Sequence, residues 1–126
     1  MPKYFTHLNP IILAKGKTIT DLRLGNDDAL HFVFNDGSKI KLFDDDIQCC
    51  EKRYMVTDDN LSEYIGAKFL GIEVKPARAI DKGEAEEAHE VQFLEVQTTN
   101  GVFTMVSHNE HNGFYNGFVI KAINDE

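Results

Sequence analysis

Two imidazoles and a carboxylate fall within four positions, at His108, Glu110 and His111. Such groups ligate zinc or nickel, and histidine titrates near neutrality, so the trio suits metal binding or proton transfer. The spacing His-x-Glu-His is no known ligand frame. A fourth ligand would have to come from His89, His31 or a cysteine. Two histidines beside a serine or threonine would also suit phosphodiester chemistry. Yet the chain has no repeated His-x-Thr pair, no Gly-x-Ser-x-Gly elbow and no complete Gly-x-x-x-x-Gly-Lys-Thr loop.

The wider stretch from Ser107 to Phe118 adds the carboxamides of Asn109, Asn112 and Asn116, with rings at Phe114, Tyr115 and Phe118. Carboxamides offer paired donors and acceptors suited to base edges or ribose, and rings offer stacking faces. Gly113 and Gly117 let a flat ligand approach the backbone closely. Arg53 and Arg78 could answer a phosphate, and Tyr54 neighbours the first. These features predict a ligand-binding site built from His108, Asn109, Glu110, His111, Asn112, Tyr115 and Asn116, with Arg53 and Tyr54 as neighbours. No catalytic residue is assigned, and cofactor and metal are left unspecified. The rival account is structural: Asn-Gly makes a turn and alternating aromatics fill the core.

Charge narrows the partners. Thirteen basic against twenty-one acidic residues give a formal net charge of −8. That field repels a phosphate backbone, so direct nucleic-acid binding is not expected. It would suit solubility, or docking on a basic partner protein. The acidic clusters Asp44-Asp45-Asp46 and Asp58-Asp59 lack the alternating pattern of a calcium loop and read as caps and solvated turns. The adjacent Cys49-Cys50 pair is a poor disulfide and half of no Cys-x-x-Cys frame, so it reads as two buried thiols. No basic-then-apolar leader opens the chain, and no apolar run approaches the ~20 residues that span a bilayer, so a soluble cytoplasmic protein is expected.

The elements that must position these groups are mainly strands. Leu30, Phe32 and Phe34 alternate with His31 and Val33, Asn35-Asp36-Gly37 makes a hairpin turn, and Ile40 and Leu42 alternate with lysines on the return. A second hairpin runs from His89 to Gln97, turns at Thr98-Thr99-Asn100-Gly101 and returns from Val102 to Val106. Further strands are expected from Lys17 to Leu24, within Gln48 to Val56, from Ala67 to Val74 with Leu70, Ile72 and Val74 on one face, and from Phe114 to Ile123. Thr57-Asp58-Asp59-Asn60 supplies several good N-caps for one short helix near 59–65, with Leu61, Tyr64 and Ile65 as its buried stripe. Residues 1–16 read as an arm or short edge strand, and 75–88 as a mobile loop. The 126 residues thus predict one mainly β (α+β) domain. Its antiparallel sheet would hold about seven strands in hairpins, as a small sandwich or half-barrel, whose edges invite a homo-oligomer.

Two blocks are distinctive: Cys49 to Asp59, containing Arg53-Tyr54-Met55, and Asn109 to Phe118. With Gly16-Lys17-Thr18-Ile19 and the Asn-Asp-Gly hairpin, the chain resembles a small domain family of unknown function found in bacteriophages and bacteria. The resemblance spans Gly16 to Ile120 and carries no assigned activity, cofactor or catalytic residue. It implies a phage or prophage origin, and small phage proteins often inhibit host defences by sequestering a nucleotide messenger or blocking an effector. The resulting expectation is a soluble, non-enzymatic binding protein recognising a small, nucleotide-like ligand through residues 107–118. The alternatives are an acidic inhibitor of a host factor and a metal- or His-dependent hydrolase.

Overall fold

In the computed structural model, the described residues are 9–45, 52–80, 88–111 and 118–124. Among them nine strands form two antiparallel sheets, more than the seven expected. The first half of the chain supplies β1 (Ile19–Leu24), β2 (Leu30–Phe34), β3 (Lys39–Asp44) and β4 (Lys52–Val56). The second supplies β5 (Phe69–Val74), β6 (Arg78–Ile80), β7 (Ala88–Thr98), β8 (Gly101–His111) and β9 (Ile120–Asn124). One sheet runs β1-β2-β3-β9 and the other β4-β8-β7-β5, with β6 also pairing β7.

The Asn-Asp-Gly hairpin forms as its alternation demands. Leu30, Phe32, Phe34, Ile40 and Leu42 are all buried, and Gly37 supplies the positive φ of 89° at the turn. Phe32 and Phe34 meet Phe69 of the opposite sheet edge-on, with centroids 5.6 and 6.2 Å away. Leu94, Val96, Phe103 and Met105 complete this shared core. Along one side the sheets are stitched by backbone: Gly16 N–H donates to Phe69 O at 2.7 Å, Ile19 N–H to Ala67 O at 2.8 Å and Phe69 N–H to Lys17 O at 2.9 Å. Among the described residues the other side does not close, and the result is a half-barrel of two sheets, with β4 and β9 as outer strands.

Several expectations are corrected by local geometry. In the described part of the N-terminal arm, Asn9–Leu13 form a short helix, α1, and not an edge strand, opened by Pro10, whose ring suits a helical first turn; residues 1–8 lie outside the described residues. Its Ile11 and Ala14 just beyond it join the core. The capped helix near 59–65 is a 3-10 turn, Leu61–Tyr64, with Asn60 Oδ1 accepting from Ser62 N–H at 3.2 Å. Three residues per turn align Leu61 with Tyr64 and throw Ile65 outward, 40% exposed. A bulge between Phe69 and Gly71 turns Phe69 and Ile72 inward and leaves Leu70 exposed, against the expected Leu70 face. The 75–88 segment is not all loop, since β6 pairs there with β7. The last described strand is Ile120–Asn124, which leaves out Phe118 and Val119 of the expected Phe114 to Ile123 strand, and residues 114–117 lie outside the described residues. No helix among the described residues is long and apolar enough to cross a membrane.

Candidate functional site

The return strand expected from Val102 to Val106 runs further: β8 continues unbroken through His111, paired with Ala88. Period-two alternation therefore sorts the expected site residues onto opposite faces. Phe103, Met105, Ser107 and Asn109 point into the core, while His108 and Glu110 stand on the outer face. On β4, Tyr54 lies opposite His108 and Arg53 opposite Asn109. The structure brings Tyr54, His108 and Glu110 together on one side, and Arg53 and Asn109 on the other. His111 contributes backbone pairing here, and Cys49, Cys50, Asn112, Tyr115 and Asn116 lie outside the described residues.

The outer group gains a fourth member, His89. Its Nε2 lies 2.8 Å from His108 Nδ1 and 3.9 Å from Glu110 Oε2. The Tyr54 hydroxyl donates to Glu110 Oε2, and its ring stacks on His108 with centroids 4.6 Å apart and planes 8° from parallel. Burial and the Glu110 carboxylate push the Tyr54 phenol up to about 12. That phenol is a donor at neutral pH, not a base. Its hydrogen bond holds Glu110 below the usual carboxylate value despite partial burial. Burial, then the charge of His89, lowers His108, with Glu110 opposing. The arrangement can pass a proton between imidazoles. Among the described residues no three His, Cys, Asp or Glu side chains are set to hold a metal.

His89 is not among the expected site residues, yet its place at the start of the second hairpin carries a signal. Counting back from the Thr99-Asn100 turn sets His89 opposite Glu110 and Val91 opposite His108.

On the inner face, the Arg53 guanidinium donates from Nη1 to Asp44 Oδ2 at 2.8 Å, both side chains being nearly buried, and Asp44 Oδ1 accepts from Val119 N–H at 3.0 Å. This clamp ties β4 to β3. Gln92 donates from Nε2 to Lys75 O at 2.8 Å, while its Oε1 and the buried Ser107 Oγ find no partner among the described residues.

Where β3, β4 and β8 meet lies a pocket of about 490 Å³. Asp27, Asp28, Asp44 and Asp45 line it against Lys41 and Arg53. Phe43, Tyr54, Met55 and Ser107 supply the rest of its wall. Most of these charges are matched: His31 Nε2 meets Asp27 Oδ2 at 3.0 Å, Lys41 Nζ lies 3.6 Å from it, and Lys121 meets Asp45 at 3.2 Å. Burial works against the Asp27 carboxylate, but the hydrogen bond and charge of His31 outweigh it and hold its pKa low. Asp27, Lys41 and Phe43 were missed in the sequence, because only the approach of the two sheets brings them to Tyr54.

Fold and site together define a two-sheet antiparallel β domain with a polar pocket on its open side. Residues 13–120 match the model of the domain of unknown function DUF7448, and the chain belongs to that family. No curated protein and no solved structure matches the chain.

Proposed function

We propose that this domain is a non-enzymatic binding protein that takes a small polar ligand into the pocket between β3, β4 and β8. The observation that carries this reading is the pocket itself. Its volume of about 490 Å³ falls within the ~300–1,000 Å³ common for ligand sites. It draws Arg53, Tyr54 and Met55 from one distinctive block and Ser107 from the histidine segment. The setting we propose is a phage or prophage gene product, which the two unusual sequence blocks support. An acidic docking face for a host protein has less support. Asp44 and Asp45 are engaged by Arg53 and Lys121, and Asp59 Oδ2 accepts from Thr104 N–H at 2.7 Å.

Native mass spectrometry of the chain purified from its own host tests the proposal. A retained small molecule, lost on Met55→Trp substitution in the pocket wall, is the expected result. A bare chain, with no thermal shift from any added metabolite, overturns it.

A hydrolase reading is favoured by one observation, the 2.8 Å contact between His89 and His108. Turnover of an ester or phosphodiester substrate that disappears in His108→Gln would establish it.

A further inference from the structure

The chemistry of the pocket wall narrows its ligand, on the premise that the pocket binds one. Both cations in the wall are already ion-paired, Lys41 with Asp27 and Arg53 with Asp44. A phosphate entering here would meet four carboxylates and would have to compete for guanidinium or ammonium groups those carboxylates hold. A cation meets the opposite situation. Asp28, exposed at the rim with φ 58°, makes no ion pair among the described residues. The wall already seats a cation by aromatic and carboxylate contact: Lys41 Nζ lies 4.9 Å from the Phe43 ring centroid and 3.6 Å from Asp27. Ser107 stands in the same wall, 1% exposed, and its Oγ has no partner among the described residues. A buried hydroxyl left unpaired costs stability, and a ligand donor or acceptor reaching it would recover that cost.

We infer that the pocket selects a small organic monocation, a primary amine or guanidinium, whose charge rests on Asp28 and whose body lies against Phe43 and Tyr54. A second polar group on the ligand meets Ser107. Nucleotides and other phosphate esters are rejected by the same wall.

Isothermal titration calorimetry on the full chain at low ionic strength tests this with four probes: phenethylamine, butylguanidine, AMP and inorganic phosphate. One saturable site for a cationic probe is expected, with no heat from either anion. Asp28→Asn keeps a residue type that tolerates positive φ, and should weaken the cation by about three- to fivefold. Asp58→Asn, also exposed, changes net charge equally and should leave affinity unchanged. Equal weakening by both variants would mean general attraction to an acidic protein and overturns the inference. So does cation binding indifferent to Asp28→Asn. AMP binding without amine binding overturns the ligand class but leaves the binding function standing. Silence from all four probes, with a bare chain by native mass spectrometry, removes both.

Discussion

His89 and His108 touch across a diagonal of the β7–β8 ladder: His89 faces Glu110 and His108 faces Val91, yet their ring nitrogens lie 2.8 Å apart. Diagonal neighbours reach one another only with long or aromatic side chains, and one neutral imidazole must accept what the other donates. Protonating both would break that bond. Burial and His89 hold His108 below its usual 6.5, so the unfolded chain takes up this proton before the folded one. The stability from this group is therefore complete above pH 6.5 and falls away as pH drops through the lower folded value. The melting temperature should decline below neutrality, before the carboxylates titrate, and His108→Gln should flatten that decline. A wild-type and variant pair with parallel melting curves from pH 7.5 to about 5 would contradict the depressed imidazole.

Tyr54 and Glu110 form the second half of this outer cluster, and their pKa shifts have opposite signs. The Glu110 contribution is present above its ordinary 4.5 and lost as pH falls, while the Tyr54 contribution is present below 10 and lost as pH rises toward about 12. An absorbance titration should show a late tyrosine step, and Tyr54→Phe should abolish it. The same substitution should cost about 0.5–1.5 kcal/mol and let the Glu110 carboxyl rise toward its ordinary value by NMR. An unmoved Glu110 would show that the phenol does not hold it.

Local chemistry accounts for what was legible in the sequence. The Phe32–Ile40 hairpin follows from period two and one Asn-Asp-Gly turn, and the β7–β8 register follows from Thr99-Asn100, which is enough to bring His89 to the site. Failures occurred where the period changed without a marker. A 3-10 turn put Ile65 outside, and a bulge put Leu70 outside, although both read as buried in α or β phase. The apolar alternation of the second hairpin stops at Val106, yet cross-strand pairing with β7 and β4 holds the histidine segment extended to His111. The pocket was illegible for another reason. Phe43 and Tyr54 share a wall only because two sheets approach, and no local pattern encodes that approach.

Arg53 and Asp44 are the strongest candidates for a costly single substitution outside the apolar core. Their side chains are 10% and 9% exposed, and Asp44 also accepts from the Val119 backbone. Arg53→Met leaves a buried carboxylate without its guanidinium, which should cost about 3 kcal/mol or more in urea denaturation. The double variant Arg53→Met, Asp44→Asn should recover part of that loss, since the amide oxygen still accepts from Val119. A single variant as stable as wild type would show that the clamp is not what joins β3 to β4.

Thr57 and Asp59 extend the sheet after β4 has ended. Thr57 Oγ1 donates to Thr104 O at 2.7 Å, and Asp59 Oδ2 accepts from Thr104 N–H at 2.7 Å, so two side chains replace one further backbone pair. Asp59→Ala removes the acceptor and should cost about 1 kcal/mol, as for one charge-assisted hydrogen bond near the surface. Hydrogen exchange at the Thr104 amide should accelerate, while the Phe103 and Met105 region, buried in the core, keeps its protection. A uniform loss of protection along β8 would instead mean that this side-chain extension anchors the whole strand.

Phe32 tests the shared core directly. It is fully buried, stacked on Phe34 at 5.7 Å and edge-on to Phe69 of the other sheet at 5.6 Å. Phe32→Ala should cost about 3–5 kcal/mol, because the surrounding rings belong to two sheets and cannot collapse together into the space. Phe32→Leu should cost less, as it restores most of the volume but not the ring contacts. The two variants separate packing volume from aromatic geometry by chemical denaturation. A cost near zero for the alanine variant would place the inward face of β2 on the wrong side, and with it the outward placement of His31 and Lys41 on the neighbouring strand positions that line or support the pocket.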